Sequence, residues 1–211
     1  MSELFVLTER PSVYLASKSP RRQELLRQLG VEFDELLLRE APGRRRDIVE
    51  APREGEPALE YVKRIARLKA SLGWHRMGRR GLAPKPVLAA DTEVVLNGAA
   101  LGKPVDAAAA VAMLAALSGR THEVITAVAI RWQSQLAQAV STSHVTFRAI
   151  AQDEIERYVA TGEPFDKAGG YAIQGRAATF VQHLEGSYSG VMGLPLFEMA
   201  EILARLGFPV L

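Results

Sequence analysis

Residues 13–30, VYLASKSPRRQELLRQLG, decide the fold class, because they hold a strand, a tight connection and a helix in one short run. Val13, Tyr14 and Leu15 read as a short strand. Ser19 suits the N-cap and Pro20 the first helical position, Leu25, Leu26 and Leu29 share one face, and Gly30 is a natural stop. A strand running straight into an amphipathic helix predicts an α/β architecture. Arg21 and Arg22 fall in the first turn, where the helix dipole is positive, a placement that costs a few tenths of a kcal/mol each. Two guanidinium forks beside unpaired backbone N–H groups would make a phosphate site. The ordinary alternative is a pair of solvated surface arginines.

Outward from this stretch, strands and helices alternate without a repeat. A charged, loop-like segment covers 40–57, with Arg44, Arg45 and Arg46 as an exposed basic run. A helix is predicted over about 58–71, where Tyr61, Val62, Ile65 and Leu68 line one side. Residues 87–96 read as a buried strand closed by an Asn97-Gly98 hairpin turn. Asp106 caps an alanine-rich helix that Gly119 ends. Two strands are expected at 123–132 and 136–147, then a helix over about 153–160, a glycine-rich loop, a strand near 178–184 and a last helix opening at Pro195.

Composition narrows the function classes. With 211 residues, 48% of them hydrophobic, the chain can bury a sizeable core and is most simply one domain over 1–211. It has no cysteine, which excludes disulfides, thiolate nucleophiles and cysteine-held zinc or iron–sulfur sites, and which fits a cytoplasmic location. His75, His122, His144 and His183 are too scattered along the chain to suggest a zinc site. Lysine and arginine number 26 against 24 aspartates and glutamates, so charge gives no argument for nucleic acid. No apolar run is long enough to predict a membrane span, and no GxxxxGK[ST] loop is present.

Asp91 is the most conspicuous charge, because it lies within VLAADTEVVL, an apolar run that should be sheet core. A buried carboxylate is costly unless paired or holding a metal. Glu93 should share its face, and Thr92 adds a hydroxyl beside it. Two carboxylates on one face can hold a hard cation or pair with Lys69 and Lys103, which would also neutralise a polyphosphate. In GEPFDKAGGYAIQG, residues 162–175, Gly169 and Gly170 permit close backbone approach, and the Gln174 amide has the donor and acceptor needed for the imide edge of uracil or thymine. A second loop, GSYSGVMGLP at 186–195, either closes over substrate or only connects elements.

SKSPRR after a first strand, AADT within a central strand, GKP after a hairpin, LSGRTHEVITAVAI, and DKAGGYAIQG followed by GSYSGVMGLP together resemble the Maf-type nucleoside triphosphate pyrophosphatases. The resemblance runs over nearly the whole chain. It implies an elongated, two-lobed α/β fold, similar to the inosine triphosphate pyrophosphatases, with a cleft at a central mixed sheet. It also implies hydrolysis of a nucleoside triphosphate to the monophosphate and pyrophosphate with Mg²⁺ or Mn²⁺. By the same resemblance, Asp91 is the proton acceptor and a metal ligand, and Arg21, Thr92 and Gln174 select the substrate. Ser17, Arg22, Lys69 and Lys103 match phosphate-site positions. That selecting trio resembles the branch acting on dTTP and UTP; the alternatives are 7-methyl-GTP or other modified nucleotides, or a non-catalytic, nucleotide-responsive regulator of septum formation. The family is associated with arrest of cell division, with removal of modified nucleotides, and with homodimers. A metal-site glutamate is expected between Phe33 and Tyr61: counting back from Tyr61 gives Glu50, counting forward from Phe33 gives Glu40, and Glu50 is chosen.

Overall fold

A computed structural model describes residues 10–38, 48 and 50–211; Glu40 and Arg44, Arg45 and Arg46 lie outside these residues. The opening unit forms as its sequence dictates. Strand β1 (Ser12–Leu15) leads to helix α1 (Pro20–Gln28), with Pro20 in the first turn and Ser19 at the N-cap, though the Ser19 side chain makes no capping bond. The helix ends where Gly30 adopts φ 69°, while its N–H bonds to the Arg27 carbonyl and that of Val31 bonds to the Leu26 carbonyl, both at 3.0 Å. This double closure needs a left-handed residue, hence glycine. Strand β2 (Glu32–Glu35) then runs parallel to β1.

Helix α2 (Ala58–Arg79) is followed by β3 (Val87–Leu96), the short β4 (Ala99–Ala100), α3 (Ala107–Leu117), β5 (Thr121–Trp132), β6 (Gln135–Phe147) and α4 (Gln152–Ala160). The chain closes with β7 (Val181–Glu185), α5 (Tyr188–Met192) and α6 (Leu196–Arg205). The sheet order is β2-β1-β3-β5-β6-β7, with β4 folded back on β3. β1 is parallel to β2 and β3, whereas β3, β5, β6 and β7 pair antiparallel, so the sheet is mixed.

Both faces of β3 are covered, and its alternating side chains divide the core. Val87 and Ala89 join Val62, Ala66, Ala70 and Met77 of α2 on one face. Leu88, Ala90 and Val94 join Leu25 and Leu26 of α1, Leu114 of α3, Ile155 of α4 and Ile202 of α6 on the other. Among the described residues, no helix is long and apolar enough to cross a membrane.

Helix α5 forms within 186–195, a stretch expected as a loop, and two further elements depart from the sequence expectation in their bounds. Helix α2 does not stop near residue 71 but continues to Arg79, through Gly73. A Cβ built at Gly73 would lie 2.7 Å from Val87 Cγ1, so the glycine lets the helix axis approach the sheet rather than ending the helix. The strand expected near 178–184 begins only at Val181, because Arg176–Phe180 form a 3₁₀ turn. Ala177 and Phe180, three residues apart, are its buried pair, and that spacing places both on the one inward side of a three-residue turn.

Candidate active site

A gap in the sheet makes the cleft. β1 pairs with β3 only at Tyr14↔Val87 and Leu15↔Leu88, and β4 pairs with β3 only at Val95 and Leu96. Between these points, no described strand covers that edge of β3, and side chains from both faces reach one cavity of about 870 Å³. The expected residues Ser17, Arg21 and Arg22 enter it from the β1–α1 turn, and Glu50 and Lys69 from the α2 side. Asp91, Thr92 and Lys103 enter from β3 and its hairpin, and Gln174 from the glycine-rich loop, so all the sequence candidates among the described residues converge.

Asp91 is the acidic centre. Lys69 Nζ lies 2.8 Å from Asp91 Oδ1 and 2.8 Å from Glu50 Oε2, so one ammonium bridges carboxylates from two parts of the chain. Burial pushes the Asp91 carboxyl above the usual aspartate range, and the charges of Lys69 and Arg22 oppose that shift. Glu93 lies on the same face. Its Oε1 accepts from the backbone N–H of Gly102 at 2.9 Å and of Val94 at 3.1 Å, which ties it to the hairpin, and burial raises its pKa. Burial, followed by the charges of Asp91, Glu50 and Glu93, holds the Tyr61 phenol well above its ordinary value, so it stays a neutral hydroxyl on the cleft wall.

The basic side is equally fixed. Arg22 Nε donates to the Gly193 carbonyl at 2.7 Å, Nη1 to Ser17 Oγ at 3.0 Å, and Nη2 to Thr92 Oγ1 at 3.4 Å. Burial lowers the Arg22 and Arg21 pKa values, which the Asp91 charge opposes at Arg22 and the Asp166 charge at Arg21. At the rim, Arg64 grips Glu56 with two 2.6 Å bonds, which hold that carboxyl down to about 2. Arg64 Nη2 also donates to the Ala51 carbonyl at 3.1 Å, tying the chain next to Glu50 onto α2.

The glycine-rich loop is seated by contacts rather than by side-chain bulk. Gly169 has φ 70°, its N–H donates to the Gly102 carbonyl at 2.9 Å, and a Cβ there would meet Val94 at 2.8 Å. Tyr171 bonds to the buried His122 Nε2 at 2.8 Å, and Glu163 accepts from the Tyr158 hydroxyl and the Arg176 N–H, both at 3.1 Å. Gln174 is thereby presented, exposed, at the cleft mouth.

Sequence reasoning noted Asp166 and Lys167 only as polar groups beside the glycine-rich loop and Tyr61 only as part of an apolar helix face, and it passed over Glu56, all four cleft-lining, and Thr126 behind the wall. Thr126 lies within VITAVAI, where a threonine is an ordinary strand residue; a hydroxyl in an otherwise apolar run was the available signal. The sequence left open whether Asp91 is paired or faces a ligand. It does both. The assembled cleft sets guanidinium and ammonium groups against carboxylates, an arrangement able to take a polyanion together with a cation.

A family model described as Maf-like protein matches residues 12–206. A protein of Aromatoleum aromaticum named dTTP/UTP pyrophosphatase is 53% identical over 199 residues, covering 94% of this chain and 97% of that protein. Proteins of the same name from Cupriavidus metallidurans and Nitrosomonas europaea are 56% and 52% identical, covering 92% and 94% of this chain and 96% of each relative. Among solved structures, the Staphylococcus aureus Ham1 protein matches with a TM-score of 0.43 and 16% identity, over 67% of this chain and 72% of that one.

Proposed function

Because the chain belongs to the Maf-like protein family, we propose that it is a nucleoside triphosphate pyrophosphatase that hydrolyses dTTP and UTP to the nucleoside monophosphate and pyrophosphate. The observation that carries this reading is the meeting of Arg21, Arg22 and Lys103 with Asp91 in one cleft. A polyphosphate lying along the β1–α1 turn faces a guanidinium already anchored by Gly193 and Ser17, so little side-chain freedom is lost on binding.

Water adds across the α–β anhydride and pyrophosphate leaves. Asp91 takes the water's proton, with the Lys69 bridge at Oδ1 leaving Oδ2 to accept it. Burial, which raises the carboxyl's basicity, favours that transfer near neutral pH. Lys69, Lys103 and Arg22 stabilise the charge that develops on the leaving phosphates. The Gln174 amide at the mouth can pair with the imide edge of uracil or thymine.

The residues also fit a divalent cation. Glu50 and Asp91 converge closely enough to share one ammonium, a spot that favours positive charge. Mg²⁺ and Mn²⁺ are commonly held by one or two carboxylates plus substrate phosphates rather than by an all-protein cage. Glu50 and Asp91 would hold it, and it would neutralise phosphate oxygens when bound. The same reading includes a homodimer in the cytoplasm.

The test is pyrophosphate release across dTTP, UTP, CTP, ATP, GTP and 7-methyl-GTP with Mg²⁺ and with Mn²⁺. The expected result is turnover of dTTP and UTP at least about tenfold above the purine nucleotides, since hydrogen-bond readout rejects mismatched bases strongly. Absence of pyrophosphate from every nucleotide overturns the reading.

A further inference from the structure

Lys69 Nζ lies 2.8 Å from Glu50 Oε2 and 2.8 Å from Asp91 Oδ1, so its ammonium fills the point where the two carboxylates converge. Neither carboxylate depends on Lys69 for its place. Asp91 is fixed within β3, and Glu50 adjoins Ala51, whose carbonyl accepts from Arg64 Nη2 at 3.1 Å while Glu56 holds the same guanidinium. Lys69 reaches the pair from α2 on a flexible four-carbon stem. A divalent cation bound to the same two oxygens, at about 2.1 Å for Mg²⁺, needs the lone pairs that the ammonium now uses. Two like charges cannot share that point.

We propose that Lys69 is a resident placeholder for the divalent cation: its ammonium occupies the meeting point of Glu50 and Asp91 in the empty cleft and must leave both carboxylates when a cation binds there. This rests on the pyrophosphatase reading and its carboxylate-held cation. Two carboxylates balance one divalent cation, so the released ammonium has no counter-charge in the pair. A triphosphate in the cleft supplies one. Cation and nucleotide therefore bind more tightly together than either does alone, and without nucleotide the site resists loading. Because the exchange takes place at Oδ1, Asp91 Oδ2 is left for the water's proton in either state.

The test measures Mn²⁺ affinity of nucleotide-free protein by electron paramagnetic resonance for the wild type, Lys69→Met, Lys103→Met and the double variant Lys69→Met with Glu50→Gln. Lys69→Met is expected to bind Mn²⁺ at least about tenfold more tightly than wild type, within the usual range of coupling between bound groups. Lys103 lines the same cleft but belongs to neither ion pair, so Lys103→Met should change the affinity by less than about threefold, the scale left to a screened, unpaired charge. Adding Glu50→Gln should cancel the gain, which locates the extra affinity at that carboxylate pair. Circular dichroism verifies the fold of each variant, and Lys69→Gln supplies the reading if the methionine variant does not fold. An unchanged or weaker Mn²⁺ affinity in Lys69→Met, an equal gain in Lys103→Met, or a gain that survives Glu50→Gln overturns the placeholder. A wild type that hydrolyses no nucleoside triphosphate with either cation overturns the pyrophosphatase reading, and the Mn²⁺ affinities still decide the exchange.

Discussion

At Asp91 burial and two cationic neighbours pull in opposite directions, with burial the larger effect, and its chemistry follows from that tension. Burial favours the protonated acid, while Lys69 at 2.8 Å and the Arg22 charge favour the carboxylate. Removing the charge should spare the architecture, because Lys69 keeps Glu50 as a partner. Asp91→Asn is therefore expected to lower kcat by about 10²- to 10⁴-fold, the usual contribution of a general base. Nucleotide binding, measured by calorimetry on the same variant, should persist through the Arg21 and Arg22 side. Wild-type turnover in Asp91→Asn would remove the aspartate from the chemistry.

Helix α2 shows how one residue type takes opposite roles within a single element. Gly73 is buried against Val87, while Gly78, near the end of the same helix, is exposed with nothing within 4 Å of a built Cβ. Gly78→Ala should stabilise the protein by about 0.5 kcal/mol through helix propensity and reduced unfolded-state freedom. Gly73→Ala should instead destabilise it by about 1–3 kcal/mol, because the added methyl must push the helix off the sheet. Denaturant melts of the two variants check the opposite signs. Lys69 rides on this helix, so the Gly73 variant should also weaken catalysis by shifting the ammonium away from Asp91.

Across the whole molecule, the glycine-rich loop is tied to the core through His122, which is 2% exposed and hydrogen-bonded to Tyr171. Burial lowers the His122 pKa from 6.5 to about 4. The unfolded chain therefore binds a proton that the folded one refuses between those values, and stability falls as pH drops from 6.5 towards 4. Between pH 7 and pH 5 the loss should be about 2 kcal/mol. Glu56 and Glu154, held down to about 2 by Arg64 and Arg148, lose their stabilising contribution only below the ordinary glutamate range, so they do not act in this window. Urea titrations of wild type and His122→Gln at the two pH values should show that the variant lacks most of this loss.

The sequence by itself determined the local pieces: a strand and helix bracketed by Ser19, Pro20 and Gly30, the Asn97-Gly98 hairpin with φ 52° and 79°, and the Asp106 cap bonded to the Ala109 N–H at 2.7 Å. Each depends on neighbouring backbone geometry, which residue type encodes directly. It also marked Asp91, because a charge within an apolar run breaks a pattern that can be read in one dimension. Tertiary structure decided what pattern does not carry. The helix expected to stop near residue 71 runs on through Gly73 because the sheet lies against it, and Thr126 is a common strand residue that gains its place only with Thr92 opposite. The cleft itself exists because β1 and β4 leave part of one edge of β3 uncovered, and strand pairing between distant segments sets that gap.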